Sequence, residues 1–302
     1  MSEMDNIRHT PVMPEETIGF LNLRKDSVVV DATCGEGGHS LLIAQHIPGG
    51  RLICIDRNEP ILARAKQRLS GYGNISFHNA TFDKIPSILA QEKIPKVDGI
   101  LADLGISLFH LQDRLDGSKG LGFSYNDTGE LSMRLGGDNG PDAGDVVNKF
   151  REFEIADILY KYGEEYESRR IASAIVRNRP YTNAAELAGV IMRAKKPRRG
   201  GKTHPAAKSF QALRIYVNKE LEILESFIPL AVDNLRGNGR LVILSYHSLE
   251  DRIVKNSFKE LEKAGFASIL TKKPLVPSED EMKNNRASRS AKMRAILKTE
   301  VK

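Results

Sequence analysis

The stretch at residues 27–40, which reads SVVVDATCGEGGHS, constrains the fold of this chain more than any other. It begins with a run of β-branched apolar residues, which is typical of a parallel strand buried on both faces. It goes on to three glycines, which let the backbone turn tightly and present its N–H groups to a ligand. The stretch therefore predicts a ligand-binding turn between a central strand and a helix.

Strands and helices alternate through the first third of the chain. Apolar runs predict strands at residues 51–56, 75–78 and 97–104, with helices at 41–46 and 60–69. Such alternation builds right-handed β-α-β units on an open parallel sheet. We therefore expect an α/β protein with a Rossmann-like sheet.

The middle of the chain loses this alternation. Residues 111–144 are rich in Gly, Asp and Ser, and residues 153–194 have apolar positions at helical spacing. Asn183, followed by Glu186, predicts the N-terminus of a helix. These features indicate an all-α subdomain inserted into the α/β protein.

The last third of the chain returns to the α/β pattern. One long helix is expected to begin at Pro205 and to continue past Leu224, and the apolar run at 240–245 predicts a strand. In a basic stretch at 282–299, apolar and polar residues alternate around RAIL, which suggests an edge strand.

The domain boundaries follow from these changes of pattern. We assign residues 1–110 and 205–302 to one discontinuous Rossmann-like domain, and residues 111–204 to an inserted helical subdomain for substrate recognition. A chain of 302 residues is long enough for both.

Composition limits the partners and the compartment. Lys and Arg exceed Asp and Glu by 45 to 39, a net charge of +6 that permits a polyanionic partner without requiring one. No run approaches the roughly 20 apolar residues of a membrane span, and the N-terminus lacks the apolar core of a signal peptide. The two cysteines, Cys34 and Cys54, suit small buried positions in a reducing compartment. We expect a cytoplasmic protein without a membrane segment.

The residues around the glycine turn favour one class of nucleotide. Asp56 ends the second strand, where a carboxylate can accept both hydroxyls of a ribose. The dinucleotide pattern G-x-G-x-x-G fails because Ser40 occupies its last place. Asp31, before the turn, suits a ligand with a cationic amino-acid end and would repel a pyrophosphate. The turn therefore favours S-adenosylmethionine over NAD, and a turn that only packs helix on strand is a third interpretation.

Asp103 ends the fourth strand, in ILADLGIS. A carboxylate there can accept the hydrogens of a nucleobase amine and direct its lone pair at a methyl group, or it can cap the following turn. Attack through a pyrimidine carbon would need a thiolate beside the base, whereas Cys34 sits in the glycine turn. The seven histidines form no pair at metal-binding spacing, so we expect no metal. The fold expected is the Rossmann-like sheet of a class I S-adenosylmethionine-dependent methyltransferase.

Motifs spread along the chain resemble one family. They include HTPVM at 9–13, DATCGEGGHS at 31–40, DLGIS at 103–107, HPAAKSFQALRIYVN at 204–218 and SYHSLEDRIVK at 245–255. Over nearly its whole length the sequence resembles the ribosomal RNA small-subunit methyltransferase H family. The resemblance implies an RNA-binding enzyme that methylates N4 of a cytidine in the decoding centre of 16S rRNA, with S-adenosylmethionine as cofactor. It implies the small ribosomal subunit as partner and leaves monomer and homodimer open.

The resemblance also implies which residues contact the cofactor. They are the Gly-Gly-His turn, the ribose acid, an aromatic residue near the adenine, the acid at the methionine end and one further contact: Gly37, Gly38, His39, Asp56, Phe82, Asp103 and His110. His110 stands where the family has glutamine, and Phe109 stands where it has proline. An imidazole can still form a hydrogen bond there, with altered geometry.

Other residues are candidates for contact with RNA. The segment RAKKPRRGGKTH at 193–204 can bind phosphates or form a solvated loop. His247 can contact the target base or its phosphate, or cap the helix that follows. Phe123, Tyr125 and Tyr246 can stack on a flipped cytosine or serve in packing. A non-catalytic rRNA-binding assembly factor, a methyltransferase for another nucleobase amine and a NAD-linked oxidoreductase are the competing functions.

Overall fold

The computed structural model describes residues 10–105, 120–136, 140–196 and 204–300. The chain forms two compact units. Unit 1 comprises Met1–Ser107 and Leu221–Lys302, and unit 2 comprises Leu108–Glu220. The sequence predicts a domain boundary at residue 205. The helix at Ala207–Asn218, which follows that position, belongs to unit 2, where it packs against a helix at Glu152–Gly163.

Unit 1 contains a seven-stranded sheet in the order β3-β2-β1-β4-β5-β7-β6. Its strands are β1 (Val28–Asp31), β2 (Arg51–Asp56), β3 (Ile75–Asn79), β4 (Val97–Asp103), β5 (Leu235–Ser245), β6 (Ala267–Ile269) and β7 (Lys292–Lys298). The first five pair in parallel, and the strand order reverses between β1 and β4. This is the doubly wound arrangement that the sequence predicts, and ligands bind at such a reversal.

The end of the sheet differs from the expectation. β7 pairs antiparallel with both β5 and β6, so the sheet is mixed and β7 is an interior strand. Arg294 is buried in the middle of β7, where its Nε lies 2.7 Å from Oδ1 of Asp251. Because this ion pair neutralises the guanidinium, a strand with a basic residue can lie inside the sheet. The prediction of an edge strand around RAIL was wrong.

Helices cover both faces of this sheet. They are α1 (Pro14–Leu21), α2 (Gly38–His46), α3 (Glu59–Arg68) and α4 (Ile85–Gln91), followed after unit 2 by a long helix at Glu220–Asn234 and by helices at Ser248–Lys263 and Glu279–Asn284. Val30, Ile53 and Ile100 belong to one apolar core, and Val29 and Leu52 belong to the other. Alternate residues of each strand thus enter opposite cores, which explains the fully apolar runs in the sequence.

Unit 2 is helical in the part that the structure describes. Its helices are α5 (Ala143–Lys149), α6 (Glu152–Gly163), α7 (Ser168–Arg177), α8 (Ala184–Ala194) and α9 (Ala207–Asn218). The Asn183 side chain accepts the N–H of Glu186 at 3.0 Å, so the predicted start of α8 is confirmed. We number the remaining helices α10 (Glu220–Asn234), α11 (Ser248–Lys263) and α12 (Glu279–Asn284).

The helix expected from Pro205 past Leu224 is two helices. Lys219 adopts a left-handed conformation with φ of 49° and ends α9. The buried Asn218 side chain donates to the carbonyl of Met133 and accepts the N–H of Leu135, which fixes the end of the helix. Helical spacing of apolar residues continues across this break, so periodicity alone does not detect it.

Both cysteines are buried and free, as expected for small core residues. Among the residues described, no helix has the length and apolar character needed to cross a membrane.

Candidate cofactor site

Three carboxylates lie at the carboxyl ends of neighbouring strands. Asp31 ends β1, Asp56 ends β2 and Asp103 ends β4. The backbone N–H of Ala32 donates to the carbonyl of Leu101, at 2.8 Å, across the strand reversal. The turn after β1 is therefore held at the point where open α/β sheets bind ligands.

Two structural requirements, backbone conformation and close packing, explain the glycines of this turn. Gly35 and Gly37 have φ of 54° and 79°, a region that side chains other than glycine rarely adopt. A Cβ on Gly37 would also lie 3.2 Å from Cδ1 of Leu69, so this glycine lets the start of α2 approach α3. Gly38 is the first residue of α2. Close packing thus accounts for one reason why residue 37 is glycine. The turn still presents its backbone N–H groups to a ligand.

Asp56 is oriented by its own neighbours. Oδ2 accepts the N–H of Gly35 and Oδ1 accepts the N–H of Asn58, both at 2.8 Å. Burial raises the pKa of this carboxyl, against the effect of the two backbone N–H groups. Each carboxylate oxygen has a second lone pair, so Asp56 can still accept hydroxyl groups. Its place and geometry fit a ribose-binding acid.

Asp103 is held by groups from three parts of unit 1. The Tyr246 hydroxyl donates to its Oδ1 at 2.7 Å, and the Thr33 hydroxyl accepts its backbone N–H at 2.6 Å. Nδ1 of His39 lies 3.5 Å from its Oδ2. Its side chain is 12% exposed, so the carboxylate is fixed and only partly open to solvent. That is suited to an acceptor aimed at one substrate group.

His39 joins the N-terminal segment to this site. Its Nε2 lies 2.9 Å from the carbonyl oxygen of Val12. Because a carbonyl only accepts, Nε2 carries a proton, and Nδ1 faces Asp103. His39 is buried, so the ring serves to connect the turn, Asp103 and the segment around Val12.

Asp31 is a buried carboxyl beside the turn. It is 1% exposed, Ser40 Oγ donates to its Oδ2 at 2.6 Å, and the N–H of Thr33 donates to its Oδ1 at 3.3 Å. Burial is the largest cause that raises the pKa of Asp31 to about 6, while Ser40 and His39 oppose it. A cationic ligand group nearby would favour its ionised form.

Phe82 follows β3, on a short 3-10 turn at Phe82–Lys84. Its ring is partly buried and lies edge-on to Phe227 of α10, with ring centroids 4.8 Å apart. It therefore stands at the same edge of the sheet as the three carboxylates. This is where an aromatic residue could contact a base.

His247 caps a helix. Its Nδ1 accepts the N–H of Glu250 at 3.4 Å, and the Glu250 carboxylate in turn accepts the N–H groups of Tyr246 and His247. This reciprocal arrangement starts α11. Of the two interpretations of His247, RNA contact and helix cap, the structure shows the hydrogen bonds of the cap.

The other sequence candidates have different environments. Phe123 is buried, and Tyr125 stacks on His204 with ring centroids 4.2 Å apart. Tyr246 is bonded to Asp103, so the three aromatic residues are engaged in packing or hydrogen bonds. His110, Phe109 and residues 197–203 of the basic segment lie outside the described residues.

Sequence reasoning missed the roles of Thr33, Ser40 and Tyr246. In the glycine-rich pattern D-x-G-x-G-x-G of S-adenosylmethionine sites, Thr33 takes the place of the first glycine, and this departure was the available signal for a side chain with its own partner. Tyr246 gave no comparable signal, because its bond to Asp103 depends on which strands are neighbours. The bond of Ser40 to Asp31 depends on how the start of α2 lies against the end of β1.

The strand order and the acids at the ends of β1, β2 and β4 define the class: a Rossmann-like α/β protein of the class I methyltransferase type. Within that class, the sequence model of the MraW methylase family matches residues 6–299. The chain belongs to the MraW methylase family.

Two relatives show how far the similarity extends. A protein of Acidobacterium capsulatum is 41% identical over 304 residues, covering 98% of this chain and 100% of the relative. One of Solibacter usitatus is 43% identical over 291 residues, covering 95% and 99%. Both bear the name ribosomal RNA small subunit methyltransferase H, so the family resemblance seen in the sequence is confirmed.

Solved structures are more distant. A methyltransferase of Streptococcus mutans in complex with S-adenosylhomocysteine matches at a TM-score of 0.46 with 13% identity, covering 94% of this chain and 96% of that one. The fold class therefore rests on the strand order of this chain.

Proposed function

We propose that this protein uses S-adenosylmethionine to methylate N4 of a cytidine in the decoding centre of 16S rRNA. Membership of the MraW methylase family and the names of the relatives support methylation of small-subunit rRNA. The observation that carries the proposal is the set of Asp31, Asp56 and Asp103 at the ends of adjacent strands. An rRNA substrate would place the protein with the small ribosomal subunit, in the cytoplasm.

The chemistry of the three acids fits the proposed cofactor. Asp56 can accept the ribose hydroxyls, and Phe82 can contact the adenine. Asp31 provides a buried negative charge for the cationic amino-acid end, since such a cation stabilises the ionised carboxylate. Gly37 and Gly38, which have no side chains, would let the backbone approach that end. The cofactor, when bound, supplies a methyl group on a positively charged sulfur.

Asp103 would act on the nucleobase amine. Its carboxylate can accept the amine hydrogens, which orients the nitrogen and localises a lone pair otherwise delocalised into the ring. Tyr246 holds this carboxylate, and Thr33 holds the backbone of the same residue. The amine becomes acidic once it is methylated, so its proton can leave to water and no strong base is needed.

In this proposal His247 has a structural role, and His110 is a further contact to the cofactor. His247 keeps the start of α11 in place through Glu250, and Tyr246 is the residue before it. His110 remains a proposed cofactor contact that takes the place of the family glutamine.

The test is mass-spectrometric mapping of methylated nucleosides in 16S rRNA, incubated with S-adenosylmethionine and either the unaltered protein or Asp103→Ala. The unaltered protein should produce N4-methylcytidine at one decoding-centre position. The variant should lose this product and still bind rRNA, because Asp103 acts on the amine. A product on another base would contradict the N4 assignment. Binding of rRNA without methylation by the unaltered protein would favour a non-catalytic assembly factor.

A further inference from the structure

Unit 2 exposes two neighbouring tyrosines. Tyr166 is 79% exposed and Tyr160 is 59% exposed, and their ring centroids lie 6.5 Å apart. Single exposed apolar residues are common, but a pair of exposed aromatic rings beside a cation is a feature of nucleic-acid contacts. Here the cation is Lys208, whose Nζ lies 5.4 Å from the centroid of the Tyr166 ring.

The backbone fixes this arrangement. A Cβ on Gly163 would lie 2.5 Å from the carbonyl oxygen of Lys208, so the glycine allows α6 and α9 to touch backbone to backbone. Glu164 then turns the chain in a left-handed conformation, with φ of 48°, and its carbonyl accepts a hydrogen bond from Lys208 Nζ at 3.0 Å. The lysine and the tyrosine are thus placed by the contact between two helices.

The two acids on either side of Tyr166 in the chain are engaged with other groups. Glu165 is buried, and its Oε2 lies 2.6 Å from Nζ of Lys195. Glu167 accepts the N–H of Lys196 at 3.2 Å and lies 3.7 Å from Nη1 of Arg170. These contacts offset the negative charge beside Tyr166.

Exposed cations lie beside Tyr166 in the chain and on the residue that bonds Glu167. Arg169, Arg170 and Lys196 are exposed, and Lys208 stands over the ring of Tyr166. The surface formed by Tyr160, Tyr166, Lys208 and Arg169 therefore combines flat apolar rings with positive charge. We call it the tyrosine surface.

We infer that the tyrosine surface binds an unpaired stretch of the rRNA substrate, with a base stacked on Tyr166 and the adjoining phosphate near Lys208. Stacking on an exposed ring and attraction of phosphates to nearby cations are the two interactions that single-stranded RNA offers to a protein. The inference rests on the proposed rRNA substrate and adds the surface through which unit 2 holds it.

The experiment measures binding of the full-length chain to protein-free 16S rRNA transcript and to isolated small subunits, at several salt concentrations. Tyr166→Ala should weaken binding to the transcript about tenfold, whereas Tyr166→Phe should retain most of the affinity because the ring remains. Lys208→Gln keeps a hydrogen-bond donor but removes the charge. It should lower the slope of log affinity against log salt by about one.

Phe153→Ala is the matched control. Phe153 lies on α6, as Tyr160 does, and is 58% exposed, with the guanidinium of Arg151 6.0 Å from its ring. Unlike Tyr166, it is flanked by Glu152 and Glu154. Its removal should leave binding unchanged, and all variants should bind S-adenosylhomocysteine like the unaltered chain.

Two results would overturn the inference. One is transcript binding by Tyr166→Ala that equals that of the unaltered chain. The other is a loss confined to isolated subunits, which would assign the tyrosine surface to a ribosomal protein. Methylation by the unaltered chain tests the proposed function separately, so the two failures are distinguishable.

Discussion

Asp31 shows how one buried side chain can make cofactor binding depend on pH. Its carboxyl is buried, and burial is the main cause that raises its pKa to about 6. A cationic amino-acid end favours the ionised form, so binding lowers the pKa and releases a proton. The affinity for S-adenosylhomocysteine should therefore rise as pH increases through 6 and level off above it.

Calorimetric titrations from pH 5 to pH 8 check this expectation. At pH 5 only about a tenth of a carboxyl with a pKa of 6 is ionised, so binding should be weaker by up to about tenfold. Asp31→Asn should show no such rise. Ser40→Ala removes the hydrogen bond that lowers the pKa of Asp31 and should move the midpoint to higher pH. A rise that persists in Asp31→Asn would contradict the assignment of this pH dependence to Asp31.

Tyr246 provides a prediction about positioning. Burial is the main cause that raises the pKa of its phenol well above 10, so the hydroxyl stays protonated and donates to Asp103 throughout the working range of pH. Tyr246→Phe removes this hydrogen bond and leaves the ring against Gly105. We expect kcat to fall by roughly tenfold to a hundredfold, since bonds to charged groups contribute about 1.5–3 kcal/mol.

Steady-state methylation assays should measure kcat and KM separately for Tyr246→Phe and for the unaltered chain. KM for RNA should change little in Tyr246→Phe, because the phenol acts through Asp103 on the transfer step. Tyr72→Phe, at another partly buried tyrosine of unit 1, should behave like the unaltered chain. Normal kcat in Tyr246→Phe would show that Asp103 does not depend on the phenol.

At the scale of elements, the contact between α6 and α9 gives a prediction about stability. Gly163→Ala places a methyl group 2.5 Å from a backbone oxygen, which cannot move away as a side chain end could. The free energy of unfolding should fall by about 1–3 kcal/mol or more. Gly189→Ala, inside α8, should raise it by about 0.5–1 kcal/mol, since a Cβ there meets only the end of the Arg193 side chain.

Urea unfolding followed by circular dichroism measures both variants. The opposite signs are the test, because a general intolerance of alanine in unit 2 would destabilise both. A Gly163→Ala protein as stable as the unaltered chain would contradict the close approach of α6 to α9.

Most elements could be predicted from the sequence, and the exceptions have physical reasons. β2 is predicted at its observed bounds, because a buried parallel strand is a continuous apolar run between turn residues. The break at Lys219 was missed because a left-handed residue leaves the apolar spacing on either side intact. The position of β7 was missed because local alternation does not show which strands pair on each side.

At the scale of the whole molecule, some residues of the site could be predicted from the sequence and others could not. Asp56 and Asp103 could be placed from the sequence, since each ends a recognisable strand and such ends share one edge of the sheet. The bond from Thr33 to Asp103 spans 70 residues and that from Tyr246 spans 143. Both depend on β4 lying between β1 and β5, which no local pattern encodes. The boundary of unit 2 at Glu220 likewise follows from packing of α9.

The central claim is that the cofactor binds across the ends of β1, β2 and β4, between Asp56 and Asp103. A crystal structure of the chain with S-adenosylhomocysteine tests it most directly. The account predicts ribose hydroxyls within hydrogen-bond distance of the Asp56 carboxylate, and the amino-acid end beside the turn at residues 31–38. A ligand bound elsewhere, with Asp56 and Asp103 making no contact to it, would contradict the account.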